Sequence, residues 1–192
     1  AGLSRRYRLC RGGSELGLGF YYRADRAPRA MATVSTSVGR LSLFGEAVLS
    51  KGSDKRFVQA VAVTPENPLG MEVVADKETL RVHTTVGTRA TYADPDGRFS
   101  VTAAGQYYYN GEFSKAHKMG MLYFLADGQL AATDLVSSGR HYAAVSVSGT
   151  SRALKDLVPS AFWLGNLSDG SGLISLSVGY TRWKDVNVSL GI

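Results

Sequence analysis

The residue types best equipped for chemistry are the histidines His83, His117 and His141, the single cysteine Cys10 and several acidic turn residues. His141 follows Ser137 and Ser138, with Asp134 just upstream. Acyl transfer needs serine, histidine and an acid in one hydrogen-bonded chain, and no Gly-x-Ser-x-Gly elbow is present to expose a nucleophile. An abundance of serine accounts for the cluster, so no catalytic residue is assigned and the chain is read as a non-enzyme. Asp94, Asp96 and Asp169 sit in glycine-containing turns, where carboxylates can recruit calcium. Asp and Gly build such turns without a metal, and neither a metal nor a cofactor is assigned. Cys10 has no partner for a disulfide, and Arg8 and Leu9 precede it where a lipidation box carries small residues. Asn166-Leu167-Ser168 and Asn187-Val188-Ser189 match the glycosylation sequon. There is no Gly-Lys-Ser/Thr phosphate loop and no basic-aromatic ribbon, which argues against nucleic acid as a partner.

The elements that would position these residues announce themselves by a period of two. Leu16, Leu18, Phe20 and Tyr22 alternate with Gly17, Gly19, Tyr21 and Arg23. The same pattern runs over Leu80 to Tyr92, Phe99 to Asn110, Ile174 to Thr181 and Val186 to Ile192. Successive strand side chains point to opposite faces, so each segment has one apolar and one polar face. Weaker strands are read at Ala30 to Val38, Leu41 to Ser50, Phe57 to Val63, Met71 to Ala75, Arg140 to Gly149 and Leu157 to Leu164. Short turns at Gly39-Arg40, Asp94 to Gly97 and Trp183 to Asp185 join neighbours into an antiparallel up-and-down meander of about ten strands. Glu112 to Gly139 breaks the pattern: Ser114 can cap a short helix that ends near Asp127-Gly128, inside one long loop. The first residues carry Arg5, Arg6, Arg8 and Arg11 without an apolar stretch, so 1–13 reads as a basic leader or linker and 14–192 as the folded unit.

Composition narrows what the alternation is for. Of 192 residues, 44% are hydrophobic, yet the longest purely apolar run, Met119 to Ala126, is far short of a membrane-spanning helix of about 20 residues. That excludes helical spans and leaves strands open. The clean strands run 9 to 13 residues, longer than the soluble mode of about five to six and near what a tilted membrane strand needs. The polar face is rich in Gly, Ser, Thr, Asn, Gln and Tyr and poor in Lys, which suits a concave lumen. Tyr21, Tyr22, Tyr92, Tyr107 to Tyr109, Tyr180 and Trp183 lie near strand ends, as interfacial girdles do. A transmembrane barrel puts the apolar face outward; the alternatives are a soluble β-sandwich or small barrel that binds a ligand or partner, and a structural or adhesive barrel without a pore.

Gln106-Tyr107-Tyr108-Tyr109-Asn110-Gly111-Glu112, Gly139-Arg140-His141-Tyr142 and the junction Trp163 to Gly172 resemble strand-loop transitions of bacterial outer-membrane β-barrel proteins of a porin-like, uncharacterised type. The resemblance covers most of the chain from residue 14 and rests on alternation. It implies the outer membrane, an all-β transmembrane barrel or the C-terminal part of a larger one, and passage of small solutes. The family often ends in an aromatic residue and is often acidic, whereas this sequence ends in Ile192 and has a pI near 9.5.

With the faces so assigned, Arg23, Glu46, Arg81, His83, Arg89 and Gln106 are the lumen-lining candidates, and their arginines favour anions. The helix-bearing loop is a candidate constriction or cover for the mouth. Lys115, His117 and Lys118 are candidates for lipopolysaccharide phosphates at the outer rim. The expected partners are the lipid bilayer, small solutes and other chains or segments that complete the barrel.

Overall fold

The computed structural model describes residues 2–112, 118–135, 139–154, 156–180 and 186–191. It is mostly antiparallel β. In chain order the strands are β1 (Gly2–Arg11), β2 (Ser14–Arg23), β3 (Arg26–Val38), β4 (Leu41–Lys51), β5 (Arg56–Ala60), β6 (Met71–Ala75), β7 (Leu80–Ala93) and β8 (Phe99–Asn110). After helices α1 (Lys118–Ala126) and α2 (Ala132–Leu135) come β9 (His141–Ser151), β10 (Leu157–Asn166), β11 (Ser171–Tyr180) and β12 (Val186–Gly191). Ten of these form one sheet in the order β1-β2-β3-β4-β7-β8-β9-β10-β11-β12, and β5 pairs only with β6. The meander expected from the alternation is therefore present, with one hairpin inserted between β4 and β7. The sheet is open: β1 and β12 are its two edges, so closure into a barrel is not seen.

The basic segment read as a leader is instead the edge strand β1, paired residue for residue with β2 from Gly2↔Arg23 to Arg11↔Ser14. Gly12 and Gly13 both take positive φ, 56° and 81°, the geometry of a two-residue hairpin turn whose twist matches the flanking strands. Leu3, Arg5, Tyr7 and Leu9 alternate with Ser4, Arg6, Arg8 and Cys10, so the arginines occupy strand positions, Arg5 in the otherwise apolar row, rather than a solvated arm.

Register carries the two faces from strand to strand, apart from an irregularity between β2 and β3 at Tyr21–Arg23. Val38, Leu41, Ala90, Ala103, Val147, Ala161 and Leu176 stand side by side on seven successive strands of one face. One layer over, on the other face, Thr91, Thr102, Ser148, Ser160 and Ser177 form a row of hydroxyls, with Thr91–Thr102 at 3.1 Å and Ser160–Ser177 at 2.5 Å. Because strand side chains have a period of two, a one-residue slip anywhere would invert a strand's faces; no such slip occurs between Leu41 and Tyr180.

The two ends of the sheet differ. At one end the chain turns at Gly12-Gly13, Gly39-Arg40, 94–98 and 152–156; at the other it makes the tight turns 24–25 and 167–170 and the long excursions 52–79 and 111–140. The predicted helix is α1, and it ends at Asp127-Gly128 as expected; the predicted cap Ser114, with Lys115 and His117, lies outside the described residues, as do Ser137, Ser138, the turn at Trp183 to Asp185 and Ile192. The long excursions pack together into a cap. Val58 of β5, Phe124 of α1 and Leu130 form its core, flanked by Met71, Val73 and Met121. With Ala27 these are the only buried apolar side chains among the described residues. Among the described residues no second sheet covers either face of the large one.

Candidate functional site

Asn110 anchors the cap to the polar face. Among the described residues it is the one fully buried large side chain, with 1% exposure, at the end of β8. Its Nδ2 donates to the Gly139 carbonyl at 2.9 Å, its Oδ1 accepts from the Glu112 amide at 3.0 Å, and its own amide donates to the Arg140 carbonyl at 2.8 Å. A buried amide that satisfies both ends of a long loop fixes where that loop leaves and rejoins the sheet.

Glu112 is thereby aimed back over the sheet. Its carboxylate accepts from Ser53 Oγ at 2.7 Å, lies 3.6 Å from Lys55 Nζ and stands 4.0 Å from His83 Nε2. His83 Nδ1 shares a 3.0 Å hydrogen bond with Tyr108 Oη, and the two rings stack at 6.3 Å. Asp54, on the β4–β5 link, accepts from the Ala27 amide at 2.8 Å and from Arg29 Nη2 at 2.6 Å. Arg81 crosses between cap and sheet: it donates to Asp76 and to the Gly111 carbonyl, and its guanidinium lies 4.4 Å from the centre of the Phe57 ring. Burial alone would raise the pKa of Asp76. Hydrogen bonds from the Thr79 backbone and hydroxyl, Arg81 and the Glu78 amide outweigh that effect and hold it at about 2. These contacts join the 52–79 and 111–140 excursions to the long-loop end of the polar face.

Two connected hollows result. A cleft of about 920 Å³ lies between the cap and the β2–β3 and β4 ends, lined by cations such as Arg26 and Lys77 and anions such as Asp54 and Asp134. A second cavity of about 340 Å³ sits on the sheet, lined by Arg29, Lys55, Glu46, His83, Thr85 and Tyr108 among others. The shared lining of Arg29, Lys55 and Glu112 connects the two.

Register places all six lumen-lining candidates on the polar face. Glu46 and His83 meet in the cavity. Arg81 is beside them but is spent on Asp76. Arg23 lies at the β2 end, bonded to Asp25 at 2.6 Å. Gln106 and Arg89 lie further toward the short-turn end, opposite Gly87 and Ser42 respectively. The sequence reading missed Arg6 and Arg8, which β1 adds to this face, and Arg29, Lys55, Tyr108 and Glu112, which only the cap brings together. The Gly12-Gly13 pair after an alternating segment was the available signal for β1. Tyr21 and Tyr108 also stand on the polar face, so they do not belong to an interfacial girdle; Tyr22, Tyr109, Tyr92 and Tyr180 do lie on the apolar face near its two ends.

The residues weighed for other chemistry have local duties. His141 Nδ1 bonds Tyr107 Oη at 2.7 Å on the apolar face, while Asp134 serves the amides of Ala131 and Arg56. Asp94 accepts from the amide and guanidinium of Arg98, which hold its carboxyl below the usual range against a smaller opposing effect of burial. Asp169 accepts from the Ser171 amide and hydroxyl, and Asn166 from the Ser168 amide. Compared with known proteins, the chain matches no family model, no curated protein and no solved structure.

Proposed function

We propose that this chain is wall and mouth of an outer-membrane β-barrel that passes small solutes, with a modest preference for anions. The observation that carries the reading is the uncovered apolar face. Leu9 is 70% exposed, Val38 67%, Val86 54% and Ile174 52%, and their neighbours on the same face are similar. Water-soluble monomers rarely expose apolar patches beyond a few hundred Å². A soluble sandwich would cover this face with a second sheet, and nothing among the described residues does so. In a bilayer the same face is in its preferred solvent, with Tyr22 and Tyr109 at one margin and Tyr92 and Tyr180 at the other. Long loops at one end and short turns at the other match the outward and periplasmic ends of such barrels. The open edges β1 and β12 run in opposite directions, so an antiparallel wall can be completed by their pairing with each other or by strands from further segments or chains.

The anion preference rests on pairing. Arg8 is neutralised by Glu15, Arg23 by Asp25, Arg29 by Asp54 and Arg81 by Asp76. Arg6 and Arg89 have no acidic partner among the described residues, against one unpaired polar-face carboxylate, Glu46. The net field on the polar face is weakly positive.

Expression without detergent tests the reading. The account expects aggregation, refolding in micelles and a heat-modifiable gel shift, followed by ion conductance in planar bilayers with chloride favoured over potassium. A chain that stays folded and monomeric in plain buffer overturns the membrane assignment; a folded barrel without conductance overturns the pore.

A further inference from the structure

We infer that the cavity beneath the cap binds a small zwitterion of about dipeptide size or less, whose ammonium group lies against Glu46 and whose carboxylate lies against Arg29. The inference deepens the solute-passage reading, since it takes the polar face to be reached by water and solutes.

Three observations carry it. Glu46 lines the cavity, and its carboxylate has no hydrogen-bond or ionic partner among the described residues. Its neighbours across the sheet are Thr33 and Thr85, and beyond Thr85 stands Tyr108. Adjacent strands are about 4.8 Å apart, so the short threonine leaves a slot roughly 10 Å wide between the carboxylate and the phenol ring. An ammonium group there is met by the full negative charge of Glu46, which attracts cations, while the Tyr108 ring is engaged by His83 and Tyr142.

Arg29, on the neighbouring strand and four residues along from Thr33, the partner of Glu46, lines the same cavity and has the complementary sign. Arg29 spends Nη2 on Asp54. A guanidinium has five N–H donors in a fixed fork, and no other described group takes its Nε or Nη1. Those donors match a carboxylate. Lys55 lines the same side but is held by Glu112, so it supplies field rather than a free hydrogen bond. A simple anion would gain Arg29 and meet Glu46 unrelieved; a simple cation would gain Glu46 and face Arg29. Only a molecule with both charges satisfies both walls. The cavity, about 340 Å³, lies at the small end of ligand-sized pockets.

Isothermal titration of the detergent-refolded protein with three probes tests this: glycylglycine, N-acetylglycine (anion only) and glycinamide (cation only). Glycylglycine is expected to bind at least tenfold more tightly than either single-charge probe. Glu46→Gln, at an exposed position with no partner to lose, is expected to weaken glycylglycine binding at least tenfold and not to weaken N-acetylglycine. Arg29→Gln is expected to weaken glycylglycine and spare glycinamide. Equal binding of a single-charge probe, no binding of glycylglycine to folded protein, or indifference to Glu46→Gln overturns the inference. Conductance measured without peptide tests the pore on its own, so the two failures are distinguishable.

Discussion

At the residue scale, the polar face is a set of charges most of which are already matched. Arg81 and Arg89 look equivalent in the sequence, eight residues apart on the same face of β7. They differ because Asp76, just before the strand, folds back onto Arg81, while Arg89 faces Ser42 and Ala104. Arg89→Ala is therefore expected to lower the chloride-over-potassium permeability ratio in planar bilayers, and Arg81→Ala to change it little. Arg81→Ala instead takes the guanidinium from the Asp76 carboxylate, which keeps only its Thr79 and Glu78 donors, and from the Gly111 carbonyl, and unfolding by denaturant should show a loss on the order of 1–3 kcal/mol. Asp76 also gives an acid dependence. Its folded pKa, about 2, lies below the ordinary 3.8, so its contribution is complete above about pH 4 and is lost as pH falls toward 2. Tryptophan fluorescence or gel mobility followed over that range should show an acid step that Asp76→Asn removes. The sequence exposed Arg81 as polar-facing but not as paired, because the pairing needs the 52–79 excursion to return to β7.

At the scale of elements, period two made nine of the ten sheet strands readable, along with the β5–β6 hairpin and the helix α1. Edge strand β1 was not readable as a strand because its arginines mask the alternation of Leu3, Tyr7 and Leu9; the fourfold alternation from Leu16 to Arg23 made β2 obvious and left its partner unseen. Glycines inside strands mark close packing as well as turns. The Phe44 ring lies over Gly87 on the neighbouring strand and fills the space a Cβ would need. Gly87→Ala is expected to cost about 1–3 kcal/mol, the usual range for overpacking, measured by denaturant unfolding in micelles. Gly105→Ala, where a Cβ meets nothing within 4 Å, is the matched control and should lack that steric cost. The cap was only half legible: the helix could be read from its own residues, but Phe124 and Leu130 meet Val58 across more than sixty residues of chain, and local pattern carries no record of such a meeting.

At the scale of the whole molecule, the account turns on which medium meets each face. The sequence showed that two faces exist; register shows that apolar positions gather on one of them from β1 to β11, with exceptions such as Arg5 there and Phe44, Phe162 and Leu164 on the other, and the open sheet leaves the apolar one bare. An arginine introduced at Val86, on the apolar face, should destabilise the protein in bilayers by about 2–4 kcal/mol, the cost of a cation near the membrane midplane, whereas Thr85→Arg, one residue away on the polar face, should be tolerated and should raise the anion preference. The most direct measurement is spin-label accessibility in lipid vesicles, with Cys10→Ser as background and single cysteines placed in turn along β7 from Val82 to Arg89. The account predicts a period of two: labels at Val82, Thr84, Val86 and Thr88 collide with oxygen dissolved in lipid, and labels at His83, Thr85, Gly87 and Arg89 collide with a water-soluble nickel chelate. Chelate access at Val82, Val86 and their even-numbered neighbours, or no alternation at all, would contradict it.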